Sequence, residues 1–201
     1  MYVELHTSSA FSFLRAASLP ESLIERAALL GYPAVALLDR DGVYGAPRFH
    51  KAAKTAGLRP IIGAELTIGL TPAGTRDQGT GTRKNSERLT RSSGVSLVPD
   101  PWSQVPTCVL PVLVSSPEGY RNLCRLITKM KLRSPKGEGA LTLEELDGHV
   151  GGLVALAGRS LLQSERHGIG GLLDRLVGIF GRANVYVELQ RHLLRDETWD
   201  N

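Results

Sequence analysis

Residues 34–68 read AVALLDRDGVYGAPRFHKAAKTAGLRPIIGAELTI, and this stretch decides the fold class. Ala34-Val35-Ala36-Leu37-Leu38 is an unbroken apolar run ending at Asp39, the pattern of a strand buried on both faces. Arg40-Asp41-Gly42 turns the chain. A helix is predicted from about Pro47 to Ala56, closed by Gly57, and Pro60–Ile68 reads as the next strand. Upstream, Tyr2–His6 alternates and is β-prone. Ser18-Leu19-Pro20-Glu21 has the form of a capping box with proline in the first turn, and Leu23, Ile24, Ala27, Ala28 and Leu30 follow at helical spacing up to Gly31. Residues 1–68 therefore predict strand, helix, strand, helix, strand.

The next stretch breaks the pattern. Residues 71–106, beginning TPAGTRDQGTGTRKNSERLTRSSG, are rich in Gly, Thr, Ser and Arg and carry no apolar period, which predicts a flexible, disordered insertion at the surface. Order resumes with a strand at Val109–Val114 and a helix started by Ser116-Pro117-Glu118, with Tyr120, Leu123, Leu126, Ile127 and Met130 at helical spacing. Lys131–Gly139 reads as a basic loop, and Thr142 as the cap of a short helix through Leu146. Leu153–Ala157 is a further strand, Leu172–Phe180 a helix and Val185–Leu189 a strand. Strands alternating with helices predict an α/β protein with a parallel sheet or barrel.

Composition excludes several classes. The chain has 201 residues, is 42% hydrophobic and 22% charged, and carries a net charge of +4, which suits a globular domain that tolerates contact with nucleic acid without requiring it. No apolar run approaches the roughly 18 residues of a membrane span, and the N-terminus has no signal-peptide pattern. A cytoplasmic protein is expected. Cys108 and Cys124 fit no metal spacing and read as buried thiols. Aromatic residues are 5% of the chain, too few for a general base-stacking platform.

Working residues of parallel α/β folds sit at the C-terminal ends of strands. His6, Asp39 with Asp41, Glu65 and His192 occupy such places. Histidine and carboxylates converging on one rim are the donors divalent metals use. The competing reading is that Asp39 and Glu65 are rim carboxylates paired with arginine and that His6 and His192 are hydrogen-bonded histidines. No nucleophile elbow, P-loop or dinucleotide fingerprint is present. His50 lies on the surface side of a helix pattern, His149 and His167 lie in Gly-rich connections, and Gly168 with Gly170-Gly171 precedes a helix, which reads as a flexible turn with phosphate binding at the helix N-terminus as the alternative.

Four segments, YVELHTSSAFSFLRAAS (2–18), ALLDRDGVYGAPRFHKAAKTAGLRPIIGAELTI (36–68), EGYRNLCRLITKMK (118–131) and VYVELQRH (185–192), resemble in that order the N-terminal PHP domain of bacterial DNA polymerase III alpha subunits. The likeness is strongest to the error-prone paralogue and spans nearly the whole chain outside 71–106. It implies a distorted TIM-like (β/α)7 barrel, here partial, with metals at the strand ends in active members. The motifs depart from that pattern in this chain. The first motif, His-x-His, reads His6-Thr7-Ser8, so Ser8 replaces a ligand. An acid expected in the following segment falls on Arg15. Thr-Asp-His becomes Leu38-Asp39-Arg40, placing Arg40 at a histidine. A further expected histidine falls on Val109. Glu65 is retained, His192 matches a later position, and a final Asp-x-His pair would lie past residue 201.

These departures imply a degraded metal site in which His6, Glu65 and His192 are the remnant. Arginine is a permanent cation with no lone pair to give, so Arg15 and Arg40 are expected to neutralise Glu65 and Asp39 directly. The expected function is a structural PHP module, incomplete at its C-terminus, of a DNA-directed DNA polymerase acting in replication or error-prone repair synthesis. It needs no cofactor, and its partners are the remaining polymerase domains and, through them, DNA and a sliding clamp. Two alternatives stand beside it: a residual Zn- or Mn-dependent phosphoesterase or 3′–5′ exonuclease, and a non-functional fragment of a longer polymerase gene.

Overall fold

The computed structural model describes residues 2–69, 107–135, 139–158, 161 and 168–190. Its centre is a sheet of five strands in sequence order: β1 (Ala34–Arg40), β2 (Arg59–Gly69), β3 (Thr107–Val114), β4 (Leu153–Ala157) and β5 (Val185–Val187). Four α-helices accompany it: α1 (Pro20–Leu29), α2 (Ala46–Ala56), α3 (Pro117–Leu132) and α4 (Gly168–Phe180). The expected insertion at 71–106 lies outside the described residues.

β1 is the buried strand its composition predicts, with every residue from Ala34 to Asp39 buried. Its side chains alternate between two environments. Val35 and Leu37 pack with Ile24 and Ala27 of α1 and Phe49 and Ala53 of α2. Ala36 and Leu38 pack on the opposite face with Leu113 and Leu156. A larger core lies between the sheet and α3 and α4, built from Leu66, Ile68, Leu110, Val112, Leu123, Leu126, Leu153 and Leu176. Each such side chain removed from water contributes about 1.5–3 kcal/mol. Proline opens α1, α2 and α3 in the first turn, where its missing N–H costs nothing. Gly57 ends α2 in the left-handed conformation, at φ +72°.

The expectation of a parallel sheet is corrected in part. β1 and β2 are parallel, as are β4 and β5, each pair spanned by a helix. β3 runs antiparallel to both neighbours. Only a parallel partner requires a crossover of fixed hand, and an apolar run like β3 reads the same in either direction. Smaller corrections follow. Leu19, not Ser18, stands at the N-cap of α1, and no side chain caps it. Lys131 belongs to α3 rather than a loop. The segment after Thr142 forms only a 3₁₀ turn at Glu144–Leu146. Gly168, Gly170 and Gly171 lie inside α4, not before it.

The N-terminal segment makes no full strand. It runs along the free edge of β1, with one parallel bridge from Glu4 to Val35. The Ala36 N–H donates to the Glu4 carbonyl (2.8 Å) and the Leu38 N–H to the Thr7 carbonyl (2.7 Å). At the other edge, the Glu188 N–H donates to the Ala157 carbonyl (3.0 Å) and prolongs the pairing of β4 with β5. A side-chain contact between residues 6 and 188 joins the two edges, so the sheet is curled into a partial barrel. No helix among the described residues is long and apolar enough to cross a membrane.

Close packing of α3 on the β4 entry depends on Gly119. A Cβ there would stand 1.9 Å from the Gly152 carbonyl oxygen, and backbone on backbone leaves nothing flexible to yield. Gly119→Ala is therefore expected to destabilise the fold by about 1–3 kcal/mol, the usual cost of overpacking, read as a lowered midpoint in thermal or urea unfolding.

Candidate functional site

The parity of β1 sorts the polar residues at its end. Arg40 follows Ala36 and Leu38 to one face, and the register of β1 on β2 sets it directly beside Glu65. Asp39 follows Val35 and Leu37 to the helix side. Two separate polar clusters result.

The first surrounds Asp39, which is 1% exposed. Its Oδ1 accepts from the Ser9 N–H (2.9 Å), the Ser9 hydroxyl (2.8 Å) and the Ser12 hydroxyl (3.0 Å). Its Oδ2 accepts from the Gly45 N–H (3.0 Å) at the start of α2, where the helix dipole also favours negative charge. A Cβ on residue 45 would come within 2.7 Å of Oδ2, so glycine is what allows the backbone N–H to reach it. The Ser12 hydroxyl in turn accepts from the Arg40 N–H (3.0 Å). Asp39 thus fastens the loop of residues 9–12 to the end of β1 and the start of α2.

The second cluster centres on His6. Its Nδ1 lies 2.7 Å from Glu188 Oε1 and its Nε2 lies 2.8 Å from Glu65 Oε1. A carboxylate on each ring nitrogen favours the doubly protonated imidazolium, and Gln190 Nε2 also lies 2.9 Å from Nδ1. Burial pushes the His6 pKa down, but the hydrogen bonds and charges of Glu188 and Glu65 outweigh it and raise the value to about 9. Glu65 is held below the usual carboxylate range: burial pushes it up, while His6 and then Arg40 pull it down further. Arg40 Nη1 lies 3.4 Å from Glu65 Oε2 and its Nε 3.5 Å from Asp41 Oδ2. Asp41 also accepts from the Thr67 N–H (2.7 Å) and hydroxyl (2.8 Å). Gln190 Nε2 donates to Glu188 Oε2 (3.1 Å).

Of the residues singled out in the sequence, the structure brings His6, Arg40, Asp41 and Glu65 together. Asp39 stands apart on the other face, and its partners are serine hydroxyls and backbone N–H groups, not an arginine. The expected pairing of Arg15 or Arg40 with Asp39 is corrected accordingly, because strand alternation separates neighbouring residues. Arg15 is exposed and makes no ion pair with either acid among the described residues. The Ser8 hydroxyl donates to the Leu38 carbonyl (2.9 Å). Val109 pairs across the ladder with Thr67. His192 lies outside the described residues. The sequence reading missed Glu188, although it follows an apolar run (Val185–Val187) just as Asp39 follows Ala34–Leu38. It also missed the roles of Ser9 and Gly45, whose partner is distant in the chain.

Among the described residues no group of three or more His, Cys, Asp or Glu side chains is disposed to hold an ion. Both His6 nitrogens already face carboxylates, and a guanidinium covers the second oxygen of Glu65.

The PHP domain family model matches residues 4–192. An error-prone DNA polymerase of Cutibacterium acnes is 36% identical over 220 aligned residues, covering 100% of this chain and 16% of its own. The error-prone DNA polymerase of Mycobacterium tuberculosis is 40% identical over 152 residues, covering 75% of this chain and 12% of its own. This chain therefore spans about a sixth or less of the length of these relatives. Among solved structures, an amidohydrolase from Chromobacterium violaceum aligns with a TM-score of 0.53 at 15% identity, over 92% of this chain and 75% of the other, a likeness of fold.

The two clusters behave differently when disturbed. Asp39→Ala strips four donors of their acceptor in a buried site, with an expected loss of about 2–4 kcal/mol, measured by urea unfolding. His6 gives a pH signature. Its folded pKa of about 9 lies above the ordinary 6.5, so its stabilisation is complete below about pH 6.5 and is lost as pH rises through about 9. Unfolding free energy should fall across that window by at most about 1.4 kcal/mol per pH unit. Denaturation from pH 6 to 10 should show this slope in the unmodified protein and its flattening in His6→Gln.

Proposed function

The chain belongs to the PHP domain family, and from that premise we propose that it is a structural, non-catalytic module of an error-prone type of DNA polymerase, in which protein cations stand where active relatives hold metal. The observation that carries this reading is the His6 imidazolium bound by Glu65 and Glu188 (2.8 and 2.7 Å), with the Arg40 guanidinium on the far side of Glu65. Metal ligation needs lone pairs, and imidazolium and guanidinium have none to offer. Charge-assisted hydrogen bonds then supply the cross-linking of strand ends that a divalent ion would otherwise give.

The wider setting follows from the relatives. Curated proteins named error-prone DNA polymerase align along 75–100% of this chain and are several times longer, which supports its being one domain of a cytoplasmic polymerase engaged in error-prone repair synthesis. DNA and a sliding clamp would meet the complete enzyme rather than this domain alone. Nucleotidyl transfer would belong to other parts of that enzyme.

Metal analysis tests the reading. Purified protein is expected to hold far less than one equivalent of zinc or manganese and to leave phosphodiester substrates intact with either metal added. Arg40→His is expected to lower stability by about 1–2 kcal/mol, the worth of a charge-assisted hydrogen bond, without creating tight zinc binding. Stoichiometric zinc or manganese in the unmodified protein, or manganese-dependent hydrolysis that vanishes in Glu65→Ala, would establish the residual phosphoesterase instead.

A further inference from the structure

On the helix-covered side of β1, α1 and α2 lie side by side with an open groove of about 520 Å³ between them. Its floor is made of short side chains, Ala52 and Ala56 of α2, over the buried Ile24 of α1. One wall is acidic, with Glu21 and Glu25 of α1, and the other is basic, with Arg48 and Lys51 of α2. α1 leads into β1 and α2 into β2, and these strands are parallel, so the two helices run in the same direction. They are level at their first turns, where both carboxylate oxygens of Glu21 accept from Arg48 (2.6 and 2.9 Å). Both helices rise by about 1.5 Å per residue. Four residues further along each, Glu25 therefore stands across from Ala52 and its neighbour Lys51, and after four more Leu29 stands across from Ala56.

The groups along this groove are self-complementary. Among the described residues neither Glu25 nor Lys51 makes an ion pair, and Leu29 is 80% exposed. A lone exposed leucine is ordinary on a surface. This one stands level with a stretch of groove floor that only alanine fills. A second copy can be turned onto the first by a two-fold axis running along the groove, parallel to both helices. Each α1 then faces the α2 of the other copy at the same level. Glu25 meets the partner's Lys51 and Lys51 meets the partner's Glu25, while Leu29 meets the partner's Ala56 in both directions. An isologous interface requires this reciprocity. A two-fold axis across the helices would instead set α1 on α1 and acid against acid, so the charges select the first arrangement.

We propose that the α1–α2 groove is an interface for a second copy of this chain, closed by two reciprocal Glu25–Lys51 pairs and by Leu29 seated on the partner's Ala56. Apolar contact at Leu29 supplies the attraction, and the charge pairs fix the orientation. Because the axis runs along the helices, the strand-end rims of both copies face the same way. The inference goes beyond the structural reading above and does not rest on it.

The test is sedimentation equilibrium of the whole 201-residue chain at concentrations up to the millimolar range, after a cooperative thermal transition has shown it folded. The expected result is a reversible equilibrium between monomer and dimer. Glu25→Lys and Lys51→Glu each set like charges against one another at both reciprocal contacts and should weaken dimerisation about tenfold or more. Mixed in equal amounts, the two variants should form a heterodimer about as tightly as the unmodified protein, because every lysine of one copy then meets a glutamate of the other. Pairing within a single chain cannot give that recovery. Leu29→Gln should weaken the dimer about fivefold or more, since two apolar contacts are lost. Leu132→Gln, which alters a comparably exposed leucine (84%) on α3 outside the groove, should leave it unchanged. A folded chain that stays monomeric at every concentration would overturn the proposal and leave the groove to a helix of another polypeptide. A dimer that both charge reversals leave intact, or that the mixture fails to restore, would overturn it in favour of another surface, as would equal weakening by the two leucine variants. Metal content, measured on the unmodified protein, reports separately on the structural reading.

Discussion

A protonated histidine holds the curled sheet together. The N-terminal segment lies against one edge, on β1, and Glu188 prolongs the other edge past β5. His6 spans the gap between them and reaches Glu65 on β2 as well. Two carboxylates this close repel each other unless a cation lies between, so the geometry favours the positive imidazolium, and the carboxylates in turn stabilise it. Arg40 adds a second cation on Glu65. The closure is therefore electrostatic and local, made by side chains at the rim rather than by a continuous ladder of backbone hydrogen bonds.

Asp39 does complementary work on the other side of β1. Its four hydrogen bonds fasten the 9–12 loop and the start of α2 to the strand. Ser12 passes that order on to the Arg40 backbone. One buried carboxylate thus holds the 9–12 loop, the start of α2 and, through Ser12, the backbone of Arg40. Placing it next to Arg40 in sequence while separating it in space is a consequence of strand alternation.

On the proposed reading, a domain whose relatives belong to long polymerases keeps the family fold while exchanging metal coordination for ion pairs. The exchange has a physical logic. A divalent ion at strand ends cross-links several carboxylates and histidines, and imidazolium with guanidinium supplies the same cross-links without free coordination positions. What is given up is Lewis-acid chemistry, and what is retained is the fastening of the barrel.

Much of the architecture was legible in the residues themselves. The apolar run Ala34–Leu38, the glycine closing α2 and the Ser116-Pro117 start of α3 are local signals, and local signals set strands, helices and their ends. The unions of His6, Glu65 and Arg40 were foreshadowed by strand-end position and by arginines at ligand places. What the chain alone does not encode in readable form is pairing across distance. An apolar strand such as β3 carries no mark of direction, so its antiparallel placement emerged only in the sheet. Glu188 is an ordinary strand-end carboxylate until the sheet curls and carries it, from 182 positions away, to the ring of His6. Asp39 and Arg40 are adjacent in sequence, and only the pleat and the register with β2 decide that one meets serines and the other Glu65. The sequence determined the elements and their polar ends, because these depend on neighbours in the chain. The tertiary structure decided which ends meet, because charge pairing depends on distance in space.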